Sequence, residues 1–293
     1  MHPSLPGILF SLATGFAIAC YYTLNKKVTH AGSPLQIIFW IFAAHLPPLA
    51  IWAALAWPLS FDRFYFLPGL GVLALTISGN LFAIRALSLS PFSLMIPVMS
   101  LSPVFTSMIG IPLLQEWPSS SQWAGIIMAV FGVLWLYAPP EQPWNIFSFW
   151  PQFFRERGAA SMALSALSWS VSAPMDRLAL RHASPPFHAL FVFSGLVIFL
   201  FIWLTLRGEW KNAPIAPSFR GLMLATGAAG ASADMLQLFS LQHIDAGPFE
   251  AIKRVTSQVI ALIIAYFLFG ERLTTPRMIG IGIICIGVPM IVL

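Results

Sequence analysis

Charge is what this sequence has least of. Aspartate, glutamate, lysine and arginine together make up 9% of its 293 residues, against about a quarter in a soluble domain. That scarcity excludes a water-soluble globular protein. Cysteine is nearly absent as well. Cys20 and Cys285 fall in separate apolar segments near opposite ends of the chain, which excludes a disulfide framework and a thiolate zinc site. No Walker or glycine-rich phosphate loop occurs, so this chain alone has no nucleotide-driven step. No Ser-His, His-Glu-x-x-His or paired-aspartate motif is present either, and no cofactor is expected. His45 and His188 stand isolated in apolar surroundings without Asp, Glu or Cys at ligand spacing, which argues against a metal.

What is present is apolar: 58% hydrophobic residues and a mean hydropathy of +0.82. This is an integral membrane chain. The net charge of +5 would suggest nucleic acid in a soluble protein, but here Lys and Arg gather at the ends of apolar runs, as membrane proteins place them. Nucleic acid is therefore not an expected partner; a small molecule, protons and the bilayer are. A spanning helix needs roughly 20 mostly apolar residues, and such runs lie at 5–24, 35–57, 66–88, 92–114, 121–139, 157–179, 187–206, 219–241, 247–269 and 275–293. No Lys or Arg precedes the first run, which favours a helix over a signal peptide despite AIAC at 17–20. Residues 140–156 form the one long connection, and Trp, Phe and Arg suit that stretch to the membrane interface.

The connection divides the chain almost equally, and the halves repeat. A shift of 155 residues superposes Glu116 on Glu271, Gly125 on Gly280 and Gly132 on Gly287; a shift of 151 superposes Ser33-Pro34 on Ser184-Pro185 and Asn25-Lys26 on Asp176-Arg177. Five spans is an odd number, so a second copy enters the membrane from the opposite side. Inverted repeats of this kind build secondary transporters with one site exposed alternately to each face. The predicted fold is all-α: ten transmembrane helices in two inverted five-helix repeats around a central cavity.

These halves resemble the drug/metabolite transporter superfamily, in particular its EamA-type ten-helix permeases: each closes with an acidic residue after an apolar run (LLQEW at 113–117, LFGER at 268–272) and then a Gly-spaced helix. The resemblance makes residues 1–139 the first EamA-like repeat, 140–156 the interfacial linker and 157–293 the second repeat. It implies a multi-pass protein of the cell (inner) membrane, a monomer or homodimer and not an enzyme, with helices 1–4 and 6–9 around the cavity. ALSWSVSAP at 166–174 is similar to the Trp-plus-small-residue stretch of such halves, whereas ATGFAIACYY in helix 1 lacks the Trp. Gly125 and Gly132, like Gly280 and Gly287, are seven apart, which by itself places each pair on one face for close packing of helices 5 and 10. Pro97 and Pro103 loosen helix 4 at membrane depth.

The unusual charges are in EAIKRVTSQ at 250–258. Lys253 and Arg254 lie roughly 9 Å inside helix 9, and Asp234 lies roughly 10 Å from the same face on helix 8. Glu250, three and four residues before the cations, reaches them along one side of the helix. Charges held in a bilayer normally face a cavity or one another and mark pathways. Two readings stand: a structural Asp234–Arg254 pair or snorkelling side chains, and a substrate and coupling site. The resemblance supports the second, in which Lys253 and Arg254 hold a carboxylate or phosphate and Asp234 or Glu250 carries the coupling proton.

Asn80, Gln237, Gln258, Ser168 and Ser172 are uncharged groups suited to binding a ligand or to cross-linking helices. Tyr21, Tyr22 and Trp169 are candidates for an aromatic wall or for ordinary packing. Asn25-Lys26-Lys27 and Asp176-Arg177, at helix ends, suit interfacial anchoring or gating. The expected function is secondary transport of a small polar metabolite, anionic or zwitterionic, by proton coupling or exchange. Export of amino acids or amphiphilic drugs, flipping of a lipid-linked anion and, remotely, intramembrane catalysis are the alternatives. Apart from Lys253 and Arg254, the side bearing the termini carries Arg63, Arg177 and Arg181, and the other carries ten basic residues. The positive-inside rule then puts the termini outside the cytoplasm, opposite to the arrangement the resemblance implies.

Overall fold

The structure is a computed structural model that describes residues 4–28, 32–89, 101–136, 151, 155, 157–211, 217–269 and 275–292. Its ten helices are α1 (Leu5–Val28), α2 (Pro34–Leu55), α3 (Phe66–Leu89), α4 (Ser102–Leu114), α5 (Ser120–Leu136), α6 (Ala159–Ala179), α7 (Pro185–Leu206), α8 (Arg220–Leu241), α9 (Ala246–Phe269) and α10 (Thr275–Val292). They fall within a few residues of the ten apolar runs, except that the fourth is described only from Leu101. Pro97, most of the 140–156 linker, Glu271 and Arg272 lie outside the described residues.

The windows Leu5–Asn25, Pro34–Leu55, Arg63–Ala83 and Pro185–Leu206 are long and apolar enough to cross a membrane unaided. The helices α6 and α8 are as long, at 21 and 22 residues, but are less apolar because Ser161, Ser165, Ser168, Ser170, Ser172, Asp176, Thr226 and Ser240 turn inward. Their polarity is sequestered by the bundle. Both halves enter their second helix alike. Ser33 caps α2 by accepting from the Gln36 N–H, with Pro34 next, and Ser184-Pro185 opens α7, where proline's fixed φ and missing donor cost nothing.

Neighbouring helices reveal the two-fold relation. In one direction α1 packs on α8 and α9; in the other, α6 packs on α3 and α4. Each half thus inserts its first helix between the third and fourth helices of the other, as an inverted repeat requires. Helix α1 makes this approach through small residues four apart. A Cβ on Gly7 would meet the His243 carbonyl at 2.9 Å, and one on Gly15 would meet Thr256 at 2.5 Å and the Lys253 carbonyl at 2.9 Å. Between them Ser11 Oγ and Ser240 Oγ lie 2.7 Å apart. Where lipid removes the hydrophobic drive between helices, such backbone approach is what binds them. In the sequence these residues form Gly-x₃-Ser-x₃-Gly at 7–15, a spacing recognised only from the structure.

The helices α5 and α10 pack mainly against each other, at the edge of the bundle. A Cβ on Gly125 would lie 2.6 Å from the Gly287 carbonyl, and one on Gly132 would lie 2.9 Å from that of Gly280. The seven-residue glycine spacing is therefore a packing device, as expected. Gly282, on the same helix, meets nothing within 4 Å. Gly287→Leu is predicted to destabilise the protein by about 1–3 kcal/mol through overpacking, and Gly282→Leu to leave it near wild type. Melting temperatures of the two variants in detergent check the contrast.

Candidate functional site

The EAIKR turn opens α9, and Gly247 lets it sit tightly on α4, since a Cβ there would be 2.1 Å from Ser107 Oγ. That approach brings Ser102 Oγ within 2.9 Å of Glu250 Oε1, to which it donates. Arg254 Nη2 donates to the same oxygen at 2.8 Å, and Lys253 Nζ pairs with the other oxygen, Oε2. Glu250 is 1% exposed, and Lys253 and Arg254 are 8% each. Two buried cations therefore share one carboxylate. Arg254 also interacts with Tyr22, yet its Nε is buried without a hydrogen-bond partner among the described residues. Lys253 Nζ lies 4.7 Å above the Phe249 ring, a favourable cation–π position.

Lys253 extends the network in a second direction. Its Nζ donates to Gln237 Oε1 at 3.2 Å, and Gln237 Nε2 donates to Asp176 Oδ2 at 3.3 Å. The other Asp176 oxygen faces His188 Nε2 at 3.0 Å, and His188 Nδ1 faces the Tyr65 hydroxyl at 2.9 Å. A continuous chain thus joins Tyr65, His188, Asp176, Gln237, Lys253 and Glu250 across five elements. Lys has only donors and a carboxylate only acceptors, so the Gln237 amide has one orientation that satisfies both neighbours.

Several expectations are corrected. Asp234 pairs with neither basic residue: its partner is His45, whose Nε2 lies 3.6 Å from Asp234 Oδ2. The structural Asp234–Arg254 pair is replaced by Glu250–Arg254. His45 and His188 are not isolated; each has a carboxylate partner on another helix, brought there by folding rather than by sequence spacing. Gly230 makes room for His45, because a Cβ there would sit 2.3 Å from its Nε2. Asn80 donates to the Thr76 carbonyl of its own helix at 2.8 Å. Trp169 stacks over the bare backbone of Gly79, about 3.1 Å from where a Cβ would be, and Ser168 bonds back to Leu164. Ser172 and Gln258 are buried, and Tyr22 is 44% exposed beside Tyr21.

On the face where α1 begins, Arg177 at the end of α6 forms ion pairs with Glu116, its Nε 2.9 Å from Oε1, and with Asp245, its Nη1 2.9 Å from Oδ1. It also donates to the Ile244 carbonyl, while the Ala246 N–H donates to Glu116 Oε2 at 3.0 Å. Arg177 thereby ties the end of α4 to the start of α9. The shift that carries Lys26 onto Arg177 had marked the position, and its partners follow from the contact between α4 and α9. Burial pushes the Glu116 carboxyl above the usual range, and Asp245 beside it adds to that, although Arg177 and the Ala246 N–H oppose the rise.

The model of the EamA-like transporter family matches residues 5–138 and again residues 156–293. A solved crystal structure is similar over 100% of this chain and 99% of its own, with a TM-score of 0.78 and 17% identity; at that identity the likeness is one of fold. A search of the curated proteins finds no match.

Because Glu116 is harder to ionise in the fold than in the unfolded chain, stability is fullest below its unfolded value and declines as pH rises through the folded one. Glu116→Gln is predicted to remove that decline, whereas Arg177→Met, which leaves two carboxylates facing each other, is predicted to cost about 3–5 kcal/mol at neutral pH. Thermal melts as a function of pH check both.

Proposed function

Since the chain belongs to the EamA-like transporter family, a family of membrane transporters rather than enzymes, we propose that it is a secondary transporter of a small polar metabolite, working by alternating access in the inner membrane. The substrate carries a carboxylate or phosphate that docks on Lys253 and Arg254. The observation that carries this reading is the charge count at the start of α9: two buried cations, one carboxylate, and an Arg254 Nε without a hydrogen-bond partner among the described residues. Glu250 is the one carboxylate among the described residues in direct contact with these two cations, so the site holds a local positive excess that Asp176 offsets only from beyond Gln237. It is a good receptor for an anion that supplies what Glu250 leaves unsatisfied.

Glu250 has a second part in this reading. It occupies the place a substrate anion takes, and protonating it releases both cations. Proton loading and anion loading then favour each other, which is symport; exchange of one anion for another uses the same surface. Asp234, 28% exposed at its side chain, is a further proton-responsive group and lies within electrostatic range of Lys253 and Asp176. Its carboxylate also favours the amino-acid form of the substrate, with a carboxylate on Lys253 and Arg254 and an ammonium toward Asp234.

The test uses purified protein and a panel of amino acids, organic acids, phosphorylated metabolites and cationic drugs, with thermal stabilisation as the readout. A ligand at 100 times its dissociation constant adds about 2.7 kcal/mol. Anions are predicted to stabilise the wild type, and Lys253→Gln with Arg254→Gln to abolish that effect in folded protein. Stabilisation by cationic amphiphiles alone, unchanged in the double variant, would refute the anion site. Asp234→Asn and Glu250→Gln are predicted to change the pH dependence of uptake into proteoliposomes.

A further inference from the structure

The Tyr65–His188–Asp176 chain is not required by substrate contact, and its chemistry suits a proton. Asp176 lies about three residues from the end of α6 and His188 three into α7, each therefore about 5 Å from the helix end, with Lys253 about 10 Å deep. Asp176 is 5% exposed, His188 is 1% and Tyr65 is 0%. Each polar atom has a partner in one protonation state: a neutral imidazole donating from Nε2 to the Asp176 carboxylate and accepting at Nδ1 from the Tyr65 hydroxyl. A second state keeps the same heavy-atom contacts. One added proton on His188 Nδ1 turns the Tyr65 oxygen from donor to acceptor, a rotation of its O–H bond.

The two states differ in the charge presented to the substrate site. Lys253 and Arg254 contribute two positive charges, and Glu250 and Asp176 two negative ones, so the network is neutral when His188 is neutral. With one proton added to the Asp176–His188 pair, it carries one positive charge. Gln237 stands between Asp176 and Lys253 with a hydrogen bond to each and so links the pair to the substrate site.

The other charged groups around the pair are accounted for. On α6, Arg177 is held by Glu116 and Asp245. On α8, Asp234 Oδ2 lies 3.6 Å from Nε2 of His45 on α2, whose Nδ1 is 2.8 Å from the Ile41 carbonyl and so carries a hydrogen. His182 pairs with Asp62 in the loops. On α9 stand Lys253, Glu250 and Arg254.

We propose that the Asp176–His188 pair, with Tyr65 as its hydroxyl partner, is a proton-binding site that sets the charge of the Lys253–Arg254 substrate site through Gln237. The proposal rests on the anion reading of that site. It adds a proton site distinct from Asp234 and Glu250. The proton comes from water, no bond other than N–H or O–H forms or breaks, and anion affinity rises as pH falls.

Sulfate is the probe, since its charge is constant near neutral pH. Its affinity is measured by thermal stabilisation across pH, and the protons taken up on binding by an indicator dye in weak buffer. Wild type is predicted to bind sulfate more tightly at acid pH. Asp176→Asn, which removes the negative charge permanently, is predicted to bind sulfate about tenfold more tightly than wild type at alkaline pH. His188→Gln, which keeps Asp176 charged, is predicted to bind it about tenfold more weakly than wild type at acid pH. Both variants take up one proton fewer per sulfate. A purely structural role would shift both affinities in the same direction. Tyr65→Phe, which keeps the ring, provides a third variant should either of the others fail to fold, and is predicted to move the pH midpoint. No sulfate binding by wild type at any pH would overturn the anion site and the proton site together. Sulfate binding with proton uptake unchanged in the variants would overturn the proton site alone.

Discussion

Two cations on one buried carboxylate are the constraint around which this bundle is organised. Charges placed at the middle of a membrane protein are costly unless paired and screened from lipid, and here the pairing draws on four helices. Helix α9 supplies Glu250, Lys253 and Arg254, α4 supplies Ser102, α8 supplies Gln237, and α6 supplies Asp176. The close approaches elsewhere serve this convergence. Gly15 lets α1 rest on the backbone of Lys253, and Gly247 lets α9 rest on Ser107 of α4. A bulky residue at either place would separate the helices whose side chains meet in the network.

The inverted repeat supplies the scaffold without supplying the chemistry. The 155-residue shift puts Val98 and Met99 at the positions of Lys253 and Arg254, and Gly79 at that of Asp234. Gly79 instead receives Trp169 and the Ser165 hydroxyl of α6. One half is packed where the other is charged. A symmetric fold therefore carries an asymmetric site, and that asymmetry gives the two faces of the membrane different access to charge: the Arg177 cluster and the Tyr65–His188–Asp176 chain both belong to the face on which α1 begins.

Much of the fold was legible because it depends on run length. Ten apolar stretches, short connections and the paired glycines of α5 and α10 follow from composition and spacing. The site was legible in part. Glu250, three and four residues before its partners, was within reach of both by helix geometry alone. Asp234 was at the right depth, but depth does not fix direction around a helix axis, and its side chain turns to His45 on α2. Within their own helices the histidines carry no sign of their partners, because their carboxylates lie on other helices. For His188 a signal existed: it stands 12 residues from Asp176, the pair flanking a tight hairpin at equal depth, and the hairpin reasoning applied to α8 and α9 would have joined them. For His45 no local pattern existed, since only tertiary packing brings α2 beside α8.

The central claim is that Glu250 occupies the place of a substrate anion on Lys253 and Arg254. The most direct measurement is a cryo-electron microscopy map of the protein saturated with a bound anion at acid pH. The account predicts density for the anion against Arg254 Nε and Lys253 Nζ, with the Glu250 side chain displaced from at least one of them. Glu250 unmoved between both cations, with the anion bound elsewhere, would contradict it.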